Sequence, residues 1–201
     1  MAQTRRDQRR DEILEAALAV SDREGLDGLT IRRVCDELGV TAPILYRYFR
    51  DKDELVEQLV RRLLSAPEVM ERGDQALRPW LRGALRRMRA TWLEHPSFMA
   101  MMVSSEFLRG ESLKLAEEMV AGLRAAGLDA RGAGAAFHTL MSYMLGSVTL
   151  ARGTRMTDLR PELAALPTLA SSRTHLDPTE QGVFDEGLDR LLDLLLPAAH
   201  D

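Results

Sequence analysis

Four residues between positions 42 and 47 are of types that suit a nucleic-acid surface: Ala42, Pro43, Tyr46 and Arg47. An arginine can bond guanine or phosphate, a tyrosine can contact phosphate or a thymine methyl, and small side chains let the backbone approach base edges. If Leu45 and Phe49, an i, i+4 pair, face inward, these four face outward from a short helix. No other chemistry is comparably furnished. The four histidines (His95, His138, His175, His200) and the one cysteine, Cys35, form no H-x-x-x-H or C-x-x-C pattern. There is no G-x-S-x-G elbow and no phosphate-cradling glycine loop. Acidic residues are numerous but fall at helix caps and on solvated faces. The sequence therefore argues against an enzyme and calls for no metal or cofactor. One cysteine excludes an internal disulfide, and Cys35 reads as a core residue.

The elements that must position this set are short and strongly punctuated. Thr30 caps a helix whose apolar residues Ile31, Val34, Cys35 and Leu38 share a face, and Gly39 ends it. Thr41 caps the next helix, in which Pro43 is tolerated because its missing N–H lies in the first turn, and which should end near Phe49. Leu38-Gly39-Val40-Thr41 is then the tight turn of a helix-turn-helix, with a second helix suited to the major groove. Short capped helix pairs also occur in ordinary bundles. Before this pair, a helix from about Thr4 to Glu24 carries the stripe Ile13, Leu14, Ala17, Leu18, Val20 and stops at Gly25. After it, Asp51 and Glu54 make a D-x-x-E start for a fourth helix with Leu55, Val56, Leu59, Val60 and Leu63 inward.

Charge gives this segment little help. The whole chain of 201 residues has a formal net charge of −4, and residues 1–64 carry 12 Arg+Lys against 13 Asp+Glu. A protein that binds DNA needs a basic face rather than a basic total, and Arg5, Arg6, Arg9 and Arg10 cluster at the start.

The remainder reads as further helices. Leu77, Leu81, Leu85, Met88 and Trp92 describe a long one that stops at His95-Pro96, and Ser97 restarts a shorter one holding Phe98, Met101 and Met102. Leu113, Ala116, Met119, Val120 and Leu123 form a stripe closed by Gly127. Asp129 caps a strongly apolar helix with Ala136, Phe137, Leu140, Met141, Met144, Leu145 and Val148. Residues 152–176 are rich in Gly, Pro, Ser and Thr and read as a mobile loop with a short helix near 161–166. Asp177-Pro178-Thr179-Glu180 is start grammar for a last helix bearing Phe184, Leu188, Leu191, Leu192 and Leu195. The fold class is all-α with about nine helices. The expected division is 1–50 as a three-helix unit, 51–64 as a connecting helix, and 65–201 as a helical domain. No apolar stretch can span a bilayer and the N-terminus lacks a secretory signal, so a cytoplasmic protein without membrane partners is expected.

The stretch Leu29-Thr30-Ile31-Arg32-Arg33-Val34, then Leu38-Gly39-Val40-Thr41-Ala42-Pro43-Ile44-Leu45-Tyr46-Arg47-Tyr48-Phe49, followed by Lys52 and Leu55, resembles the TetR-family DNA-binding domain. The L-T-x-R-x-[VL], L-G-V and L-Y-x-[HY]-F-x-x-K pieces occur in order and at the right spacing. The resemblance implies that Arg32 can reach a base, that Ala42, Pro43, Ile44 and Tyr46 face bases and phosphates, and that Lys52 contacts phosphate at a helix N-terminus. With the capping residues Thr30 and Thr41 and with Arg47, these form the expected DNA-contacting set.

More loosely, the rest resembles the ligand-binding and dimerisation domain of the tetracycline-repressor branch. That implies a homodimer on a palindromic operator, with recognition helices about 34 Å apart. It also implies a small effector that releases a repressor through movement of the fourth helix. The helices at 130–151 and 179–196 would form the dimer interface through Leu145, Val148, Phe184, Leu188, Leu191 and Leu195. Trp80, Met88, Trp92, Phe98, Met102, Phe107, His138, Met141 and Tyr143 are candidates to line a site for a hydrophobic effector, adaptable methionines and polar-tipped aromatics being suited to one. The same residues would also fill a plain core. A helical dimeric interaction module without specific DNA binding is the alternative reading.

Overall fold

The computed structural model describes residues 2–64, 72–95, 97, 111–153 and 165–196, and the described residues form nine helices and no strand. Two compact units result: Met1–Ala66 with Glu94–Lys114, and Pro67–Leu93 with Leu115–Asp201. Residues 94–114, expected with the C-terminal domain, thus go with the first unit, as does the fourth helix.

In the first unit α1 spans Ala2–Gly28, interrupted at Gly25, whose φ of 77° is comfortable only without a Cβ. Of its expected stripe Ile13, Leu14, Ala17 and Val20 are buried, while Leu18 is half-buried at the edge. In α2 (Ile31–Leu38) the backbone of Thr30 is extended and its hydroxyl accepts the N–H of Arg33 at 3.2 Å. Gly39, at φ 64°, ends the helix, and the Val40 N–H closes back on the Cys35 carbonyl at 3.0 Å. After α3 (Ala42–Leu45), α4 (Lys52–Leu64) opens as its sequence demands. Asp51 Oδ1 accepts the Glu54 N–H at 2.8 Å, while Glu54 Oε2 accepts the N–H of Arg50, one residue before the usual partner, at 2.7 Å. Leu55, Val56, Leu59 and Val60 then join the core with Leu29, Val34, Leu45 and Phe49, and the last inward place falls to Leu64, Leu63 being only half-buried.

The second unit is built on α5 (Leu77–Glu94), which buries Trp80, Leu81, Ala84, Leu85, Met88, Arg89 and Trp92. In α6 (Glu111–Ala125) the buried apolar residues are Leu115, Met119 and Leu123. Leu113, expected inward, is 50% exposed and Leu115 is buried in its place, while Met119 and Leu123 are buried as expected and Ala116 and Val120 are half-buried. In α7 (Ala130–Gly153) Asp129 caps through the Gly132 N–H at 2.7 Å, and Ala133, Ala136, Leu140, Met144 and Val148 are buried.

Two expectations near the C-terminus need correction. The stretch read as a loop contains α8 (Pro167–Leu176), begun by a proline at its first turn, whereas Ala165 and Leu166 are not helical and residues 161–164 lie outside the described set. Leu166, Leu169 and Leu176 are exposed, so no inward stripe was there to reveal the helix. Asp177 does not cap the last helix. Its carboxylate accepts the N–H and hydroxyl of Thr179 at 2.9 and 2.7 Å in a local turn, and α9 begins three residues after Pro178, at Gln181, to run to Leu195. The restart helix expected after Ser97 also falls outside the described residues, apart from Ser97 itself.

α5 and α9 are joined by a ladder of charges running in opposite directions. Arg78 meets Asp193 and Asp189, Arg82 meets Asp189 at 2.9 Å, and Arg86 meets Asp185 at 3.1 Å. Arg82 donating to Asp189 holds that carboxyl below the usual carboxylate range. One turn further, Arg89 (1% exposed) donates to Gln181 Oε1 at 2.9 Å and the Pro178 carbonyl at 2.7 Å, with its guanidinium 4.9 Å from the Phe184 ring centre. α7 meets α9 through Tyr143, which stacks on Phe184 at 5.3 Å and donates to the Phe184 carbonyl at 2.9 Å. A Cβ at Gly187 would overlap the Tyr143 hydroxyl.

Gly187→Ala should therefore destabilise the protein by about 1–3 kcal/mol through overpacking. Adding Tyr143→Phe should return part of that loss. Thermal melts of the two variants check this, and an undiminished melting temperature for Gly187→Ala would refute the close approach.

Candidate nucleic-acid interface

The α2–α3 pair turns Pro43, Tyr46 and Arg47 outward as expected, but not Ala42, whose i, i+3 and i, i+7 spacing to Leu45 and Phe49 sets it towards their inner face. Leu45 and Phe49 are buried, while Tyr46 is 54% exposed and Pro43 and Arg47 are exposed. Ala42 and Ile44 are half-buried at the edge of the same surface. Two further details differ from expectation. Thr41 occupies the N-cap position in extended conformation, but its side chain makes no capping hydrogen bond. The α-helix itself is only Ala42–Leu45; beyond it the chain continues in tighter turns, with Arg47 and Tyr48 N–H groups bonded three residues back and Phe49 four back.

Arg32 lies exposed on α2 beside this surface. Lys52, at the start of α4, is half-buried and donates to the Leu26 carbonyl at 3.1 Å, which ties α4 to the end of α1. Cys35 is buried, and burial pushes its thiol up, as suits a core residue.

How the arginines are used explains why near-zero net charge is compatible with an anionic partner. Arg9, Arg10, Arg23, Arg33, Arg50 and Arg62 each have a carboxylate within 4.0 Å. Arg5, Arg6, Arg32 and Arg47 have none among the described residues. Of the four N-terminal arginines expected to act together, Arg9 and Arg10 are thus spent inside the fold, on Glu12 and on Glu54 and the Phe49 ring. The same unit holds a buried polar knot that sequence reading missed. Asp22 Oδ2 pairs with His95 Nδ1 at 2.8 Å, and its Oδ1 accepts from the Ser97 hydroxyl at 2.8 Å. The hydroxyls of Ser97 and Ser21 lie 3.0 Å apart. These partners are more than seventy residues apart in sequence, so no local pattern announces them.

Known proteins match this arrangement along most of its length. Residues 13–59 match the family described as bacterial regulatory proteins, tetR family, and residues 70–196 the tetracyclin repressor-like C-terminal domain. The chain belongs to the TetR family. It is 30% identical over 203 residues to the HTH-type transcriptional repressor DrrR1 of Streptomyces coeruleorubidus, covering 91% of this chain and 75% of that protein. A solved structure described as a possible TetR family transcriptional regulator from Streptomyces coelicolor superposes with a TM-score of 0.72 at 26% identity, over 92% of this chain and 98% of that one. BioQ, solved with its double-stranded DNA operator, superposes at 0.58 with 26% identity over 95% and 98% of the two chains.

For a TetR-family protein the expected effector-lining residues are only partly gathered. Trp80, Met88 and Trp92 are buried along one side of α5, and Met141 and Tyr143 are half-buried on α7. His138 is exposed on α7, away from that interior, because it sits on the face opposite Ala136, Leu140 and Met144. Phe98, Met102 and Phe107 lie outside the described residues. Among the described residues Trp80 Nε1 is buried without a hydrogen-bond partner, as is Arg89 Nε. Arg89 was missed by sequence reading, although Leu81, Leu85 and Arg89 follow one another at i+4 spacing in the inward stripe. Burial pulls its guanidinium below the ordinary arginine value. Of the expected dimer residues, Val148, Phe184 and Leu188 are buried within the single chain, leaving no side-chain surface for a partner. Only Leu145, Leu191 and Leu195 remain partly open. Among the described residues no helix is long and apolar enough to cross a membrane, and no cluster of metal-binding side chains occurs.

The two caps make a paired prediction. Thr30→Ala should cost about 0.5–2 kcal/mol of stability, because it frees the Arg33 N–H, whereas Thr41→Ala should change it by less than about 0.5 kcal/mol. Denaturant titration of both variants checks the contrast; equal losses would contradict the cap assignment.

Proposed function

We propose that this TetR-family protein is a ligand-responsive transcriptional repressor that acts as a homodimer in the cytoplasm. Each protomer sets α3 in the major groove of one half of a palindromic operator. The observation that carries this reading is the outward surface of Arg32, Pro43, Tyr46 and Arg47, in which neither arginine has a carboxylate partner among the described residues. Ala42 and Ile44 border that surface, Thr30 and Thr41 set the helices that carry it, and Lys52 retains two N–H donors for a phosphate.

The dimer face lies on the sides of α7 and α9 turned away from Val148, Phe184 and Leu188. Ala135, Ser142 and Gly146 on α7 are exposed and small enough for close helix approach, and Leu194 on α9 is 80% exposed. Leu145, Leu191 and Leu195 flank them. The effector is a small hydrophobic molecule held by the second unit among Trp80, Met88, Trp92, Met141 and Tyr143. The unpaired Trp80 N–H favours one that carries a hydrogen-bond acceptor. Such a ligand releases DNA only in so far as it binds the DNA-free state more tightly.

Selection from a random duplex library should enrich a palindrome whose half-sites are spaced for two recognition helices. Tyr46→Ala/Arg47→Ala should bind it at least about tenfold more weakly, since each good base or phosphate contact is worth about 1–3 kcal/mol. Its melting temperature should stay within error of the parent. No enriched palindrome, or a variant that binds as the parent does, would defeat the repressor reading. A hydrophobic compound that raises the melting temperature yet leaves operator affinity unchanged would defeat the effector part alone.

A further inference from the structure

Beside the outward surface of α3, and sharing Arg47 with it, Arg5, Arg6, Arg47 and Tyr48 line an open hollow of about 580 Å³. Its walls come from two places in the sequence, the first turns of α1 and the turn that follows α3. Arg5, Arg6 and Arg47 are exposed, and none has a carboxylate within ion-pair distance among the described residues. Their neighbours on α1 behave differently. Arg9 is held by Glu12 at 2.5 Å, and Arg10 lies 4.0 Å from Glu54 and 5.1 Å from the centre of the Phe49 ring.

Three uncompensated cations around one hollow repel one another, and the arrangement becomes favourable when an anion enters. Guanidinium forks match a phosphodiester by paired hydrogen bonds, and the Tyr48 hydroxyl adds a donor. Arg47 adjoins Tyr46 in sequence, so the hollow is continuous with the base-facing surface. An anion that fills it while α3 lies in the groove therefore belongs to the same duplex. We propose that Arg5, Arg6, Arg47 and Tyr48 form a clasp for the DNA backbone, seating phosphates that flank the base pairs read by α3. The footprint of each protomer then extends past its half-site by a contact that positions the duplex and carries no sequence information. This rests on the repressor reading above.

The test measures anisotropy of the full-length protein on the selected palindrome and on a scrambled duplex of equal length, between 50 and 200 mM salt. Arg5→Ala/Arg6→Ala should flatten the salt dependence by about 0.9 in log–log slope for each phosphate that is no longer neutralised, and weaken both duplexes by the same factor. Arg5→Lys/Arg6→Lys, which keeps the charge, should retain most of the slope. Trimming the base pairs that flank the palindrome should weaken the parent but leave the alanine variant unaffected. Exchanging A·T for G·C in the flank should change neither, which separates phosphate seating from minor-groove reading. A parent-like slope and flank dependence in the alanine variant would overturn the clasp while leaving operator binding intact. A parent that fails to distinguish palindrome from scrambled duplex would instead overturn the operator reading, and the clasp with it.

Discussion

An arginine that finds a carboxylate in its own fold offers little to a phosphate, because its charge is already largely balanced at short range. In the first unit this constraint decides which residues can face DNA. Acidic residues slightly outnumber basic ones between positions 1 and 64, so cations survive as binding groups only where the fold keeps carboxylates away from them. Glu12, Glu54, Glu24, Glu37, Asp51 and Glu15 each hold an arginine. Arg5, Arg6, Arg32 and Arg47 escape, and Arg32 and Arg47 sit on the helix-turn-helix.

The second unit uses the same residue type for the opposite purpose. Arg78, Arg82 and Arg86 recur every four residues on α5 and meet Asp193, Asp189 and Asp185, which recur at the same interval on α9. Exposed ion pairs of this kind contribute little each, about 0–1 kcal/mol. Because the charges repeat every four residues on both helices, a one-turn slip would re-pair most of them, so the ladder holds α9 against α5 without choosing the register alone. Arg89 ends the series inside the core, where Gln181, the Pro178 carbonyl and the Phe184 ring stand in for an acid. Removing its partners would leave a buried cation without compensation, a larger penalty than breaking any exposed rung. The register of α9 against α5 also determines where Phe184 lies for Tyr143, and hence how α7 packs.

What could be read from the sequence was local. Thr30, Gly39, the Asp51–Glu54 pair and Asp129 announced their helix ends because capping depends on residues only a few positions apart. Leu45 and Phe49 announced the inner face of α3 because i+4 spacing is enough to define it. The failures share a different cause. Leu113 and Leu115 are equally apolar, and only packing against other helices chooses between them. α8 carries its leucines outward and so has no inward stripe to detect. Val148, Phe184 and Leu188 looked like interface residues because the sequence shows that an apolar surface must be covered, not whether the covering comes from the same chain. The Asp22–His95–Ser97 knot joins residues that only the tertiary fold brings together.

Near-neutrality of the DNA-facing unit has a consequence for discrimination. Non-specific affinity is almost wholly electrostatic, growing with the number of phosphates neutralised and falling steeply with salt. A unit whose free cations are few, and whose remaining arginines already stand beside carboxylates, gains less from an arbitrary duplex than a basic unit would. Base contacts of the kind proposed for Tyr46, Arg47 and Arg32 are less sensitive to the overall charge of the domain. The ratio of specific to non-specific binding, which governs occupancy in a genome full of competing sites, is thereby raised without strengthening any single contact. On this view Glu12, Glu54 and Glu24 contribute to selectivity as well as to the fold, by withholding cations that would otherwise bind every duplex alike.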